Sequence, residues 1–417
     1  MPAHVTLGDP VSAGPQDREL STPQETISQA LDDLLEWIVT NGPAGSDPYD
    51  ALNSPYAGLA SRLGRYGRIA FLQAVRRSPV ECRSLLRIRP SINAKGVAVL
   101  AHAYLELAED RGEQRHLDLA RSSLEWLERN SVAAGAGIGW GYPFDWAARA
   151  FFVPKGTPSA VVSSVAGQAF LRAASVFGDT HYRDVARTVA AFVMTGLRRF
   201  ESDGGICFSY TPLDQARVFN ASLMGASLLV RAGSDCDPSL VETGRRATTF
   251  VLRNQNPDGS WPYGMAPFHR WTDGHHTGFI LRDLASIAAA TGWEDLRPAI
   301  DRGLCFYVDR LIAPDGRPLF RLDRPWPADI HACAEAILVL SDPLLASRVG
   351  GLADRAVRVA RWTFDNLRRP DGAFGYLRYR KRVDWTAHLR WGQAWMLWAL
   401  ARLARSLTTQ ARSAGVQ

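Results

Sequence analysis

The sequence predicts an all-α fold, an (α/α)6 toroid of six inner and six outer helices with few or no strands. Three observations predict it. Apolar residues recur at helical spacing from Thr26 almost to the end of the chain, and period-two alternation is nearly absent. From Ser91 onward, small apolar segments alternate with more charged ones. Each charged segment from residue 114 on is followed by a Gly-rich turn with an aromatic residue, and successive units lie roughly 55–65 residues apart, the length of a helical hairpin with one long loop.

Taken in order, residues 1–23 are rich in Pro, Ser, Thr and Asp and read as a disordered tail without the basic and apolar regions of a signal peptide. Segment 26–41 has acidic groups early and apolar positions at helical spacing, which makes it the first outer helix. Residues 42–90 form an irregular basic insertion containing Asp47-Pro48-Tyr49-Asp50 and Ser54-Pro55-Tyr56. Its amphipathic piece, 62–89, suits peripheral contact with a membrane surface or, more simply, packing across the body with arginines toward solvent. The small apolar segments 91–109, 157–177, 217–232, 275–291, 329–341 and 385–405 suit inner positions, because small side chains let helices approach closely. The segments 114–131, 180–200, 238–254, 294–312 and 350–368 have one wet face and suit the outer ring. Closing the ring leaves no hairpin with an exposed apolar face; an open helical solenoid is the alternative. The expected organisation is one toroid domain over 24–407 and a disordered tail over 408–417.

An apolar fraction of 46% suits one large core. The net charge of +6 and pI near 9.2 come mostly from dispersed arginines, which serve solvation or an acidic ligand. Five separated cysteines without a CxxC pair argue against a disulfide framework or a cysteine zinc site and fit a reducing compartment. No apolar run approaches the ~18 residues of a membrane span, so the expectation is a soluble, cytoplasmic protein. A P-loop, a Rossmann glycine fingerprint, a nucleophile elbow and any nucleic-acid module are absent from the sequence.

If the inner helices share one direction, their N-terminal ends converge on one mouth, where partial positive charge favours anions. The residues that fall there point to acid/base work on a sugar. Candidate catalytic groups are Tyr142, Asp145, Asp273, His276, Asp329 and His331. Candidate substrate contacts are the aromatic Trp146, Tyr210, Trp261, Tyr263, Tyr379 and Trp391, which can stack on a pyranose, and the polar Arg149, Lys155, Asn220, His388 and Arg390, which can hold hydroxyls or a carboxylate. Paired carboxylates, Asp145 with Asp273, Asp329 or Asp384, would serve glycoside hydrolysis. A tyrosine (Tyr142, Tyr210 or Tyr379) with His276 or His331 would serve proton removal beside a uronate carboxylate. Simpler roles compete at each position. Asp273, Asp329 and Asp384 suit helix N-caps. His331 and Glu335 suit an i,i+4 pair. One of the adjacent His275 and His276 should turn away to pack or cap, and Trp140 and Trp261 each suit a plug for their turn. Zinc held by His276, His331 and His388 lacks tight ligand spacing, so neither metal nor cofactor is expected.

Gln255-Asn256-Pro257-Asp258-Gly259-Ser260-Trp261 matches the QxxxGxW turn of triterpene cyclases, in which Gln and Trp knit neighbouring repeats. With its repeats laid out, the chain resembles the α/α-toroid superfamily of six-hairpin glycosidases, polysaccharide lyases and uronyl epimerases, and also terpenoid cyclases and protein prenyltransferases. The DxDD motif of class II cyclases is missing here. Segments 47–54, 139–146, 329–331 and 390–395 are similar to those of bacterial proteins associated with polysaccharide biosynthesis. That last similarity implies a saccharide context without assigning a reaction; the leading expectation is an enzyme acting on an anionic, uronate-containing saccharide by acid/base chemistry, as hydrolase, lyase or epimerase. The alternatives are an isoprenoid cyclase or prenyltransferase and a non-catalytic saccharide-binding toroid.

Overall fold

The computed structural model describes residues 22–78, 80–149 and 151–414. Helix α1 (Pro23–Asn41) starts at a capping box formed by Thr22 and Glu25. Two short helices follow, α2 (Ala57–Arg62) and α3 (Gly64–Arg77). Then inner and outer helices alternate: α4 (Ala94–Arg111), α5 (Gln114–Arg129), α6 (Ala160–Phe177), α7 (Thr180–Gly196), α8 (Phe219–Gly233), α9 (Pro238–Arg253), α10 (Gly274–Thr291), α11 (Arg297–Arg310), α12 (Ile330–Leu340), α13 (Leu352–Leu367) and α14 (Ala394–Ala414). A π-helical turn, Leu389–Gln393, leads into α14.

The even-numbered helices from α4 to α14 pack side by side, and α14 returns to α4, so the ring closes. Closure decides for the toroid over the solenoid. Helices α5, α7, α9, α11 and α13 each back the inner helix before them, and α1 backs α14. The division by composition holds: Ser163, Ser164, Ala166 and Gly167 of α6 are all buried, whereas α13 buries one stripe that includes Ala356, Val359, Ala360 and Thr363.

The turns between hairpins hold the outer ring together. Gly259 has φ +91°, and a Cβ there would run into the Arg302 carbonyl oxygen of α11. Gly316 meets Arg358 of α13 in the same way, and Gly372 meets Asp33 of α1. Gln255 Nε2 donates to the carbonyl oxygens of Gly259 (3.0 Å) and Ala299 (2.9 Å), which ties this turn to the next hairpin. The indoles of Trp140 and Trp261 donate to Leu127 O (2.9 Å) and Val251 O (3.0 Å), each closing the end of the outer helix just completed. Both tryptophans are turn plugs.

The strands are few and short, as expected: two to four residues each, in four antiparallel pairs and one three-stranded set that joins 328–329, 377–378 and 383–384, where they satisfy backbone groups of the turns. Two other expectations change. Helix α14 continues to Ala414, so residues 408–414 are helical; Thr408 accepts a hydrogen bond from Gln24 of α1 (3.3 Å), which packs on α14. The tail expected over 1–23 lies outside the described residues apart from Thr22 and Pro23, as do residues 415–417. Helix α6 is also long and apolar enough to cross a membrane by composition, yet 67% of it is buried in the body as an inner helix.

Residues 42–90 occupy the one joint of the ring, between α1 and α5, that lacks a stapling turn. Across that joint the ion pairs Arg111–Asp32 (2.6 Å) and Arg115–Glu36 (3.6 Å) link α1 to the last residue of α4 and to α5. The insertion lies over the start of the inner helices and exposes Leu59, Leu63 and Tyr66 next to Arg62 and Arg65. Two glycine substitutions separate backbone strain from packing. Gly292→Ala, at φ +70° with open space around it, should cost about 1 kcal/mol. Gly259→Ala adds the collision with Arg302 and should cost about 3 kcal/mol or more, both read by urea unfolding.

Candidate active site

Helices α10 and α12 start side by side, and each start is capped by an aspartate. The Asp273 carboxylate accepts the His276 amide (2.9 Å) and the His276 ring Nδ1 (2.8 Å). His275 Nδ1 lies 3.6 Å from the same carboxylate. Both imidazoles therefore turn toward Asp273, contrary to the expectation that one would turn away; an N-cap that curls back over the first turn can reach both. Burial raises the Asp273 carboxyl, but the adjacent imidazoles and the His276 amide outweigh it and hold it down to about 2. Burial pushes His275 down to about 3, so it stays neutral.

On α12, Asp329 accepts the His331 amide (2.9 Å) and the Trp391 indole N–H (2.8 Å). Its second oxygen is buried without a partner, and burial pushes its carboxyl up to about 6. His331 is 1% exposed with neither ring nitrogen hydrogen-bonded, and burial pushes its pKa well below the usual imidazole value. The expected His331–Glu335 pair does not form, because Glu335 bonds the Arg282 guanidinium of α10 (3.1 Å) instead. The rings of His276 and His275 lie 3.9 Å apart and those of His275 and His331 4.9 Å apart, a chain of three imidazoles walled by Trp391, Phe279 and Trp395. Of the three, His276 is the most accessible, with a side chain 21% exposed next to Tyr263 and Trp271, and its Nε2 makes no hydrogen bond among the described residues.

Two cations face this chain of rings without a carboxylate partner among the described residues. Lys95, at the start of α4, holds its ammonium 5.3 Å from the centroids of both Phe279 and Trp395, and burial, then the charge of Arg390, depress it to about 7. Arg76, from α3, donates to the Tyr376 hydroxyl (3.1 Å) and lies over the Tyr49 ring. Neither Arg76 nor Tyr49 was a sequence candidate, because no motif ties the insertion to the mouth; only folding places it there.

The remaining candidates divide. Tyr142 and Tyr210 share a hydrogen bond (3.1 Å) beside Trp146 and belong to the mouth. Asn220, at the start of α8, is buried with its Oδ1 unpaired. Asp145 accepts the Lys155 amide (2.8 Å) and ties down its own loop, while Arg149 and Lys155 are exposed at the surface. Trp261 is a plug. Tyr379 sits at a hairpin tip under the Arg382 guanidinium. His388 is buried and bonded to Ser46 (2.9 Å), apart from the imidazole chain. Asp384 caps no helix; it accepts Thr386 in a local turn. Arg390 is taken up by a bidentate bond to Asp47 (2.5 and 2.6 Å) that anchors the insertion. A carboxylate near the start of an irregular stretch gives no signal of this pairing across the chain.

Asp273, His275 and His276 are the one group among the described residues whose ligand atoms lie close enough to share a cation, all within 4.8 Å. A cavity of about 660 Å³ opens at the other end of the barrel, where the inner helices finish. Phe279 and Trp395 form the wall between the two, lining the cavity on one side and touching His331 on the other.

The ring of inner helices with acid/base groups at their starts defines a six-hairpin α/α toroid. No protein-family model and no curated protein matches the sequence. Solved structures do share the fold. A sugar epimerase from a ruminal bacterium superposes with a TM-score of 0.64 at 12% identity, covering 93% of this chain and 99% of that one. The unsaturated glucuronyl hydrolase of Bacillus sp. GL1 gives 0.58 at 16% identity over 92% and 97%. Cellobiose 2-epimerase from Bacillus thermoamylovorans gives 0.59 at 9% over 78% and 90%. At such identities the likeness is one of fold.

Asp47→Ala should leave the Arg390 guanidinium buried without its carboxylate and cost about 3–5 kcal/mol, read as a lower melting temperature. Lys155→Ala, an exposed side chain, should leave the melting temperature within error.

Proposed function

We propose that the chain is an enzyme that moves a proton at a carbon of an anionic saccharide, an epimerase or β-eliminating lyase of polysaccharide or glycoconjugate metabolism. One observation carries this reading: His276, oriented by Asp273 with its Nε2 unbonded, stands in line with the neutral His275 and His331 on two adjacent inner helices. Asp273 accepts the Nδ1 proton and so fixes the tautomer that offers Nε2 as a base, then stabilises the imidazolium once it forms. The abstracted proton leaves an enolate-like anion on the sugar. Returning a proton to the opposite face gives the epimer; expelling the neighbouring alkoxide, protonated as it departs, gives the unsaturated product.

Lys95 and Arg76 support the anionic part of the reading. Two cations in a dry mouth with no carboxylate of their own favour a ligand that brings one, and they stabilise an enolate as it develops. The same cations disfavour a carbocation and so count against isoprenoid chemistry. Hydrolysis is less well supported, because Asp145 is tied to its loop while Asp273 and Asp329 both cap helices. The epimerases and the glucuronyl hydrolase among the structural neighbours support a saccharide substrate. A groove of about 460 Å³ lined by Trp271, Arg270 and Arg321 borders the accessible side of the dyad and offers a way in.

In deuterated water, uronate-containing oligosaccharides should gain deuterium on incubation, or acquire the absorbance of an unsaturated end. His276→Ala should slow this by about 10²–10⁴-fold with the melting temperature unchanged. Exchange as fast in the variant as in the native chain, or turnover of prenyl diphosphates alone, would overturn the reading. The Lys95 ammonium, depressed in the fold from 10.5 to about 7, is present below that pH and discharges above it. KM for a uronate should therefore rise as pH passes through about 7, and Lys95→Arg should remove the rise. By the same depression the charged lysine weighs on the fold at low pH, and its contribution to stability improves as pH climbs from about 7 toward 10.5.

A further inference from the structure

The cavity at the far end of the barrel takes no part in the chemistry above, yet it holds about 660 Å³ and is lined by charged side chains from all six inner helices except α12. Inner helices end here, and their C-terminal carbonyls carry partial negative charge, so arginines are expected as compensation. Most are matched in detail. Glu106 accepts from Arg172 (3.0 Å), Arg402 (2.8 Å) and Arg405 (3.0 Å), Asp342 accepts from Arg402 (3.3 Å), and Arg282 bonds Glu335. Burial pulls the Glu106 carboxyl up, but Arg402 and Arg172 hold it well below the usual range. This network is structural: each of its arginines is ion-paired to a carboxylate.

Arg231, in the last turn of α8, is different. It lines the cavity, and its guanidinium makes no hydrogen bond or ion pair among the described residues. Burial lowers its pKa, and the one carboxylate that opposes this, Asp283, bonds Gln168 (3.2 Å) instead of closing on it. A second group is also unfilled. His102 is 5% exposed and stacks on Trp398 (4.5 Å); its Nε2 faces the Val165 carbonyl oxygen (3.3 Å) and so carries the proton, which leaves Nδ1 as a buried acceptor without a partner. An unpaired cation asks for an anion, and an unpaired ring acceptor beside an Asp–Gln pair asks for hydroxyl donors.

We propose that this cavity is a second binding site, separate from the mouth, for a small anionic sugar: a hydroxyl-bearing ring with a carboxylate or phosphate that Arg231 holds. A volume of about 660 Å³ accommodates one or two sugar rings. Phe279 and Trp395 place the occupant against the wall behind His331, so an occupied site stiffens the floor of the mouth.

Isothermal titration of the full chain with glucuronate, glucose 6-phosphate, glucose and inorganic phosphate tests this. Glucuronate, glucose 6-phosphate or both should bind at least about tenfold more tightly than glucose and than phosphate, and the stronger of the two identifies the acid. Arg231→Met should lose about tenfold or more of that affinity, and Arg231→Lys should recover part of it. The free Arg231→Met protein should melt with the native chain, since it breaks no ion pair, while His276→Ala should bind unchanged, which separates this site from the mouth. Equal binding by native chain and Arg231→Met, loss of binding in His276→Ala, phosphate binding as tightly as the sugar acids, or no binding by either sugar acid would each overturn the proposal.

Discussion

The toroid depends on a steric constraint repeated around its rim: a turn glycine lying flat against the backbone of the next outer helix. Gly259 on Arg302, Gly316 on Arg358 and Gly372 on Asp33 leave no room for a side chain, and Gly137 and Gly205 fill the same role against Thr188 of α7 and Phe250 of α9. Each such contact fixes one hairpin relative to its successor, and the contact at Asp33 brings the chain's last hairpin back to its first outer helix. Because every joint but one is closed this way, the angular step per hairpin is set locally, and six steps bring α14 onto α4.

The exception lies over the candidate site. Between α1 and α5 the stapling turn is replaced by residues 42–90, which fold over the starts of the inner helices. The Asp47–Arg390 pair fixes this cover to the last inner helix, and Arg83 bound to Asp50 (2.9 Å) holds its own fold together. The cover delivers Tyr49 and Arg76 to a mouth whose own groups are imidazoles and cap carboxylates. Burial strengthens charge interactions inside the mouth and keeps His275 and His331 neutral.

The two ends of the barrel handle charge in opposite ways. At the mouth, helix N-termini are satisfied by Asp273 and Asp329, and the uncompensated groups are cations brought in by side chains. At the far end, helix C-termini are answered by an arginine network that is neutralised through Glu106, Asp342 and Glu335, with Arg231 left over. Phe279 and Trp395 insulate one environment from the other.

The fold was legible because its information is local. Helical periodicity, the alternation of small and charged segments, and the Asp-Gly turns are each written within a few residues, and the QxxxGxW turn does the knitting role its resemblance implies. The cluster at Asp273, His276, Asp329 and His331 was legible for the same reason: helix starts can be located, and residues at the starts of adjacent inner helices must meet. What only the tertiary structure decided were pairings across long separations. Sequence offers Arg390 as a free cation, and the fold ties it to Asp47; it offers His388 and Tyr379 to the mouth, and packing and a hairpin tip remove them; it gives no hint that Arg76 arrives there. The reason is physical: a periodic pattern fixes which face of a helix is buried, but the partner of a buried charge is chosen by whichever opposite group the closed ring brings within reach.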